Sequence, residues 1–300
     1  MIVATPSAPL PASHSVLFTE PKLRAELEHI GVNNIADIES RLVGRKRSVD
    51  PLLLSYGVPA NSDYFPYVDL NAPRLRFMQR DAVELPSTLV LPLPLVAMLN
   101  ARPGASRQVD SSPGRRSDDY AKDALAIGAA LGSGSLQGLD AATASAVFAI
   151  RMNAVTCALP GADTIWRTAV HVIADATASY LTRQDLERVW STIEASACSQ
   201  HASAESRSWL ALLRAVALRD APTMQVAGES IMHSPAMVHD PDDLAYSVSA
   251  AALGALSGGH ASEAETLLDQ YSANNVVPRL YQLSIRWLRA CAASRSCVDH

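Results

Sequence analysis

The chain has 300 residues, of which 48% are apolar and 18% are charged, and its formal net charge is −5. This apolar content is sufficient for two modest hydrophobic cores, whereas the excess of acidic residues excludes a polycationic surface for nucleic-acid phosphates. The first fifteen residues lack the basic start and long apolar stretch of a signal peptide, and Pro86, Pro92 and Pro94 interrupt an uncharged stretch at 85–101. We therefore expect no nucleic-acid partner, no transmembrane segment and, as the default, a cytoplasmic location.

Short elements are predicted in the first hundred residues. Apolar runs at 2–5 and 67–70 indicate two strands. Helical spacing and turn residues predict a short helix at Leu95–Leu99 and three earlier helices. The earlier helices are predicted to begin near Thr19, Asn34 and Asp50 and to end near Gly31, Gly44 and Gly57. This mixture predicts a small α/β portion at residues 1–100.

Residues 101–117 are rich in Pro, Gly, Ser and Arg and offer almost nothing for a core, which is typical of a flexible linker. Apolar faces at helical spacing follow this linker as far as the last residues of the chain. We therefore predict three segments, an α/β segment with its connector at 1–100, a linker at 101–117 and a helical domain at 118–300. The predicted fold class is mainly α, with a small N-terminal α/β remnant.

Residues that cap helices precede several of the apolar faces in the helical domain. A Ser, Thr or Asp with an acidic residue three positions later is the pattern of a helix start. The predicted starts are Thr182 with Asp185, Asp240 with Asp243, and Ser262 with Glu265.

Turns near Thr182, Asp220 and Gly259 recur about every 40 residues, which is a period of helical solenoids. The stretch from Gly259 resembles the turn of a tetratricopeptide repeat, but Gly254 and Pro278 are out of register with that pattern. Short connections favour antiparallel helical hairpins. The sequence leaves two arrangements open, a tetratricopeptide-like hairpin array and an irregular helical bundle.

Four cysteines, at positions 157, 198, 291 and 297, form no C-x-x-C pair. Three of them lie in helical, Ala-rich surroundings, where a free cysteine behaves as a small hydrophobic residue. Cys291 and Cys297 can form a bridge only if the tail of the chain folds back. We therefore interpret the cysteines as core residues of a protein in a reducing compartment.

No complete catalytic, metal or nucleotide-binding motif is found. The glycines of Gly132–Gly138 follow a predicted helix rather than a strand and are interpreted as an inter-helix turn. His233, His239 and Asp240 are metal-ligand types but lie in an ordinary loop without further ligands. His171 lies in an apolar helix and is interpreted as a core or boundary residue. We therefore predict no cofactor, no metal and no catalytic residue in this chain.

Residues 61–74 carry one family resemblance, over the sequence Asn-Ser-Asp-Tyr-Phe-Pro-Tyr-Val-Asp-Leu-Asn-Ala-Pro-Arg. This segment resembles the end of the catalytic domain in spermidine-synthase-like proteins, especially large bacterial versions fused to membrane or helical regions. The matching positions are Asn61, Ser62, Asp63, Pro66, Ala72, Pro73 and Arg74, while Asp69 stands where Glu is commoner. The resemblance covers about residues 1–80, and it implies a structural rather than a chemical role for these eight positions.

The resemblance also implies which parts of such an enzyme this chain lacks. In the family, the Gly-rich cofactor loop, the acidic residue that holds the ribose and the catalytic Asp all precede the matched region. We therefore expect strands 2–5 and 67–70 to lack their sheet partners. Unpaired strand edges recruit other strands, so we predict that this segment binds a protein partner, self-associates or packs against the helical domain.

Three functions remain open from the sequence. The first is a non-catalytic C-terminal portion of a spermidine-synthase-like protein that carries a helical interaction domain. The second is one part of a polyamine aminopropyltransferase, completed by an upstream segment or a second chain. The third is an independent helical adaptor protein.

Overall fold

The computed structural model describes residues 18–30, 32, 46–57, 93–99, 118–234, 240–295 and 297, and over these residues the fold is mainly α, as predicted. Three helices precede residue 118, namely α1 (Pro21–His29), α2 (Lys46–Ser55) and α3 (Leu95–Leu99). The helices after residue 118 begin with α4 (Asp118–Ser133), α5 (Ala141–Ile150), α6 (Ala154–Cys157), α7 (Ala162–Thr177), α8 (Arg183–Glu194) and α9 (Ala197–His201). They continue with α10 (Ala204–Leu218), α11 (Ala221–Met232), α12 (Pro241–Ser257), α13 (Ala261–Asn274), a 3₁₀ turn (Arg279–Tyr281) and α14 (Gln282–Ser294).

Two of the predicted caps are confirmed and one is wrong. The Thr182 hydroxyl accepts from the Asp185 amide at the start of α8, and the Asp240 carboxylate accepts from two amides at the start of α12. The predicted Ser262 cap is wrong, because α13 begins at Ala261 and Ser262 already lies in its first turn. Gly259 has a φ of 87°, as glycine readily adopts in a turn, and α13 follows directly after it with His260 as its N-cap.

The predicted start of α2 near Asp50 is also wrong, since the helix begins at Lys46. Pro51 therefore lies inside the helix and has no amide hydrogen to donate to the carbonyl of Arg47. The predicted short helix Leu95–Leu99 is confirmed, and α1 begins two residues after Thr19, capped by the Glu20 carboxylate. The predicted helix at 34–44, the strands at 2–5 and 67–70 and the linker at 101–117 lie outside the described residues.

Helices that follow one another in sequence pack together from α10 to α14. The closest pair is α11 with α12, flanked by α10 against α11, α12 against α13 and α13 against α14. The loops between α10 and α11 and between α12 and α13 are short, as expected for helical hairpins. The N-terminal half of the domain is less regular, because α8 packs chiefly on α4 while α7 packs on α5 and α10.

Glycines allow α11 and α12 to approach each other closely. A Cβ added at Gly254 of α12 would lie 2.6 Å from the Ala221 carbonyl oxygen and 2.8 Å from the Gln225 nitrogen in α11. A Cβ added at Gly228 of α11 would lie 2.7 Å from the Ser247 carbonyl oxygen. The Ala-rich helix α12 is consequently buried along most of its length.

A single cluster of buried side chains connects α2, α3 and the helices after residue 118. It includes all four tryptophans, at 166, 190, 209 and 287. Leu52 of α2 and Leu95 of α3 belong to the same cluster, and α2 packs on α14 while α3 packs on α12. Helices α2 and α3 therefore share a core with the C-terminal helices, whereas α1 has no buried residue.

All four cysteines are paired in disulfides, which corrects their interpretation as free core residues. Cys157 of α6 is joined to Cys198 of α9, and Cys291 of α14 is joined to Cys297. The Cα atoms of the two pairs lie 4.9 Å and 5.3 Å apart, within the usual range for disulfides. The second bond exists because the chain reverses after α14, where Arg295 has a φ of 52°.

Candidate binding groove

The structure does not describe the eight positions of the predicted family motif. Asn61, Ser62, Asp63, Pro66, Asp69, Ala72, Pro73 and Arg74 all lie outside the described residues. The predicted family resemblance and the structural role of these residues therefore stay predictions.

The other motifs singled out in the sequence have structural explanations. Two glycines of the Gly132–Gly138 stretch have positive φ in the loop between α4 and α5, which confirms an inter-helix turn. The Nδ1–H of His233 donates to the Glu229 carbonyl, and Asp240 caps α12, while His239 lies outside the described residues. Within the part of the chain that the structure describes, no group of three or more His, Cys, Asp or Glu side chains could hold a metal ion.

A polar cluster lies where α7, α10 and α12 meet. The Arg167 guanidinium pairs with the Glu205 carboxylate across 2.5 Å, and the His171 ring lies against Trp209 with 4.9 Å between centroids. Tyr246 of α12 is buried, and its hydroxyl has no hydrogen-bond partner among the described residues. His171 is a boundary residue, as predicted, since its side chain is half-buried.

Burial shifts two pKa values in this cluster in opposite directions. It lowers the pKa of His171 to about 4, with a smaller contribution from the positive charge of Arg167. It raises the pKa of Asp175 to about 6, although this carboxylate still reaches solvent. Burial and the nearby Asp175 charge also raise the pKa of Tyr246. Because the rings of Trp209 and Tyr246 are buried, we assign this cluster to the helix junction rather than to a binding surface.

An open groove of about 830 Å³ lies between the end of α2, the segment after α13 and one face of α14. Val276 and Val277 form one apolar side, and Val276 is 90% exposed. The opposite side is formed by Ser55 and Tyr56, which follow one another at the end of α2. The groove thus joins the end of α2 to α14 and the segment before it, which are distant from α2 in sequence.

Helix α14 forms the floor of the groove. Gln282, Arg286, Arg289 and Ala293 line it, and this spacing places the four side chains on one face of a helix. The opposite face of α14 carries Trp287, which is fully buried. One helix therefore anchors the structure with one face and presents two arginines with the other.

The two arginines of the groove have different environments. Arg289 Nη2 lies 2.6 Å from a carboxylate oxygen of Asp269 on α13. The Arg286 guanidinium lies 4.4 Å from the centroid of the Tyr56 ring, and no carboxylate of the described residues lies within ion-pairing distance. Arg286 is exposed, so its guanidinium is positioned by the ring and available to an anionic group.

The geometry of α2 determines where Tyr56 lies. The helix ends at Ser55, the amide of Gly57 donates to the Leu54 carbonyl, and Gly57 has a φ of 61°. A left-handed glycine after the last turn is the usual end of a helix. The chain therefore turns away directly after Tyr56 and leaves its ring beside α14.

Comparison of the chain with protein-family models, with characterised proteins and with solved structures finds no match. Within the described residues, no helix combines the length and the apolar character needed to cross a membrane.

Proposed function

We propose that the helical region is a protein-interaction module, and that its groove binds an acidic, amphipathic helix of a partner protein. The observation that carries this proposal is the Arg286 guanidinium, which is held over Tyr56 with no acidic partner among the described residues. A charge that the fold positions but does not neutralise is suited to an external carboxylate.

The apolar sides of the groove support a partner of helical shape. Val276, Val277 and Leu283 line it beside the arginines, so one ligand face would meet both apolar and cationic groups. A helix that lays its apolar face in a groove while its acidic residues contact arginines satisfies both requirements. The net charge of this chain is −5, so the cationic groove differs locally from the rest of the molecule.

This proposal agrees with two of the three functions predicted from the sequence, the non-catalytic interaction domain and the independent adaptor. The remaining function, a part of a polyamine aminopropyltransferase, rests on the resemblance at 61–74 and stays a prediction. It has a direct test, because we expect the purified chain not to bind S-adenosylmethionine. Calorimetric binding with a dissociation constant near 1 μM, which corresponds to about 8 kcal/mol, would instead support the enzyme.

The cysteine pairing bears on the predicted cytoplasmic location. Disulfides form and persist in oxidising compartments and are rare in the cytosol. The pairing of all four cysteines therefore favours an oxidising compartment as the place where the interaction occurs.

Fluorescence polarisation tests the proposed function. The probe is a labelled amphipathic peptide of about five helical turns with Glu on its polar face, and its control is the same peptide with Lys at those positions. We expect the acidic peptide to bind more tightly, and Arg286→Ala to weaken it about tenfold, as expected for the loss of a charged hydrogen bond. Arg207→Ala is the matched control, since Arg207 is also an exposed helical arginine but lies on α10 outside the groove. Equal affinity for both peptides, or an unchanged affinity of Arg286→Ala, would refute the proposal.

A further inference from the structure

Helix α2, which carries one wall of the groove, is attached to the molecule chiefly through α14. The indole Nε1–H of Trp287 donates to the Ser48 carbonyl across 2.6 Å. Cys291 Sγ lies 3.8 Å from the same oxygen. The attachment is thus concentrated on the N-terminal half of α2, opposite the end that forms the groove.

The last cysteine completes this attachment from outside α14. Cys297 Sγ lies 3.6 Å from the Arg47 carbonyl oxygen and 3.9 Å from that of Ser48. Cys297 is 1% exposed, although it lies three residues from the last residue of the sequence. The backbone of α2 is therefore enclosed between the side chains of α14 and the returning tail.

The Cys291–Cys297 disulfide is the covalent bond that holds the tail in this position. Cys291 lies in the last turns of α14, and the bond closes a loop of only six positions. Without the bond, the backbone after α14 would lose conformational entropy to stay against α2, with no covalent bond to offset it. Arg47 and Ser48 would then lose their contact with Cys297.

A continuous helix connects this contact to the groove. Helix α2 has ten residues, from the enclosed turn at Arg47 and Ser48 to Ser55, and Tyr56 follows directly. Pro51 provides no amide hydrogen for the Arg47 carbonyl, but the ten residues still form one helix that joins the enclosed turn to the groove. Motion at the enclosed turn therefore displaces the ring that positions Arg286.

We infer that the Cys291–Cys297 disulfide is a redox-sensitive latch that fixes α2, and with it the wall of the binding groove. On oxidation the two thiols lose two protons and two electrons as the S–S bond forms, and the electrons reduce a glutathione or protein disulfide to two thiols. On reduction the reverse exchange releases the tail. The role of the disulfide in fixing α2 does not depend on any ligand. Its effect on the affinity of the groove for an acidic helix rests on the function proposed above.

Hydrogen exchange of the full chain tests the latch directly. In the double variant Cys291→Ala, Cys297→Ala, we expect amides of residues 46–56 to exchange at least tenfold faster than in the oxidised wild type. The matched control is Cys157→Ala, Cys198→Ala, which lacks the other disulfide and should leave exchange at 46–56 unchanged. Alkylation before reduction should label none of the four cysteines of the wild type.

The control variant also gives a second test, which does not require the Cys291→Ala, Cys297→Ala variant to fold. Its single disulfide is the latch, so a reducing agent acts on that bond alone, and exchange at 46–56 should accelerate on reduction and slow again on reoxidation. Unchanged exchange, or wild-type Cys291 and Cys297 that are labelled without reduction, would overturn the inference. If exchange responds but no acidic peptide binds the wild type, the latch is supported and the proposed function fails.

Discussion

Two helix pairs of this molecule are packed in opposite ways. Helices α11 and α12 meet through Gly228 and Gly254, with backbone atoms so close that an added methyl group would overlap them. Helices α2 and α14 meet through a tryptophan, a disulfide and the stacked pair Tyr56 and Arg286. Small residues bring two backbones together and leave no space between them, whereas large side chains hold helices apart and leave a groove. The comparison therefore separates a pair that stabilises the fold from a pair that is suited to binding.

The largest loss of stability is expected from a substitution between α11 and α12. Gly254→Ala should destabilise the protein by about 2–3 kcal/mol, because its Cβ would overlap backbone atoms of α11 that cannot move independently. The measurement is urea unfolding followed by circular dichroism at 222 nm, a standard helix wavelength.

Gly132→Ala is the control for this substitution. Gly132 also lies in a helix, but nothing lies within 4 Å of an added Cβ. Alanine should stabilise the protein there by about 0.5 kcal/mol, since it has less backbone entropy to lose than glycine. If both substitutions had the same effect, the close approach of α11 and α12 would be refuted.

The second prediction concerns the open pair and its hydrogen bond. Trp287→Phe removes the indole donor to the Ser48 carbonyl, and should cost about 1 kcal/mol beyond the loss of packing. Trp190→Phe provides the matched loss of packing, because Trp190 is equally buried and its Nε1–H has no partner among the described residues. Unfolding free energies of the two variants give the difference. A cost for Trp190→Phe equal to or above that for Trp287→Phe would show that the bond contributes nothing.

The smallest expected effect concerns the pKa of Asp175 on α7, whose charge lies near Tyr246 of α12. The folded state raises the pKa of Asp175 from its ordinary value of 3.8 to about 6, so folding favours its protonated form. The stability that this provides is present below pH 4 and is lost as the pH rises through 6. Asp175→Asn should therefore melt at a higher temperature than the wild type at pH 7.5 and at nearly the same temperature at pH 4.

His171 has the opposite dependence, since its lowered pKa of about 4 makes stability fall as the pH drops below 6.5. It is present in both proteins, so it cancels in the difference between wild type and Asp175→Asn. A difference in melting temperature that does not change between pH 4 and 7.5 would contradict the raised pKa of Asp175.

The helices could be predicted from the sequence where periodicity and capping agree. Thr182 and Asp240 begin helices as predicted, because a capping side chain and the first turn lie within four residues of each other. The Ser262 cap failed because the reversal at Gly259 decides where α13 begins. Local patterns therefore determine a helix, but a neighbouring turn can move its first residue.

The groove could not be predicted in the same way. Its walls come from Tyr56, Val276 and Arg286, and apolar periodicity does not show which faces of distant helices lie side by side. The available signal was weak, namely arginines at 286 and 289 on a helix whose other face is apolar. The sequence predicts a bond between Cys291 and Cys297 only if the tail folds back. The positive φ of Arg295, where the chain reverses, cannot be predicted from its residue type.

The bond between Trp287 and Ser48 joins residues 239 positions apart, and this distance has a consequence for the order of assembly. Helices α10 to α14 contact their sequence neighbours, and such local contacts form quickly, whereas long-range contacts wait for the closure of a large loop. We expect α2 to dock after the hairpins, and pulsed hydrogen exchange during refolding should protect residues 46–55 later than residues 241–257. During synthesis, α2 leaves the ribosome long before α14 exists, and it must wait for nearly the whole remaining chain. The groove should therefore form only after α2 has docked on α14.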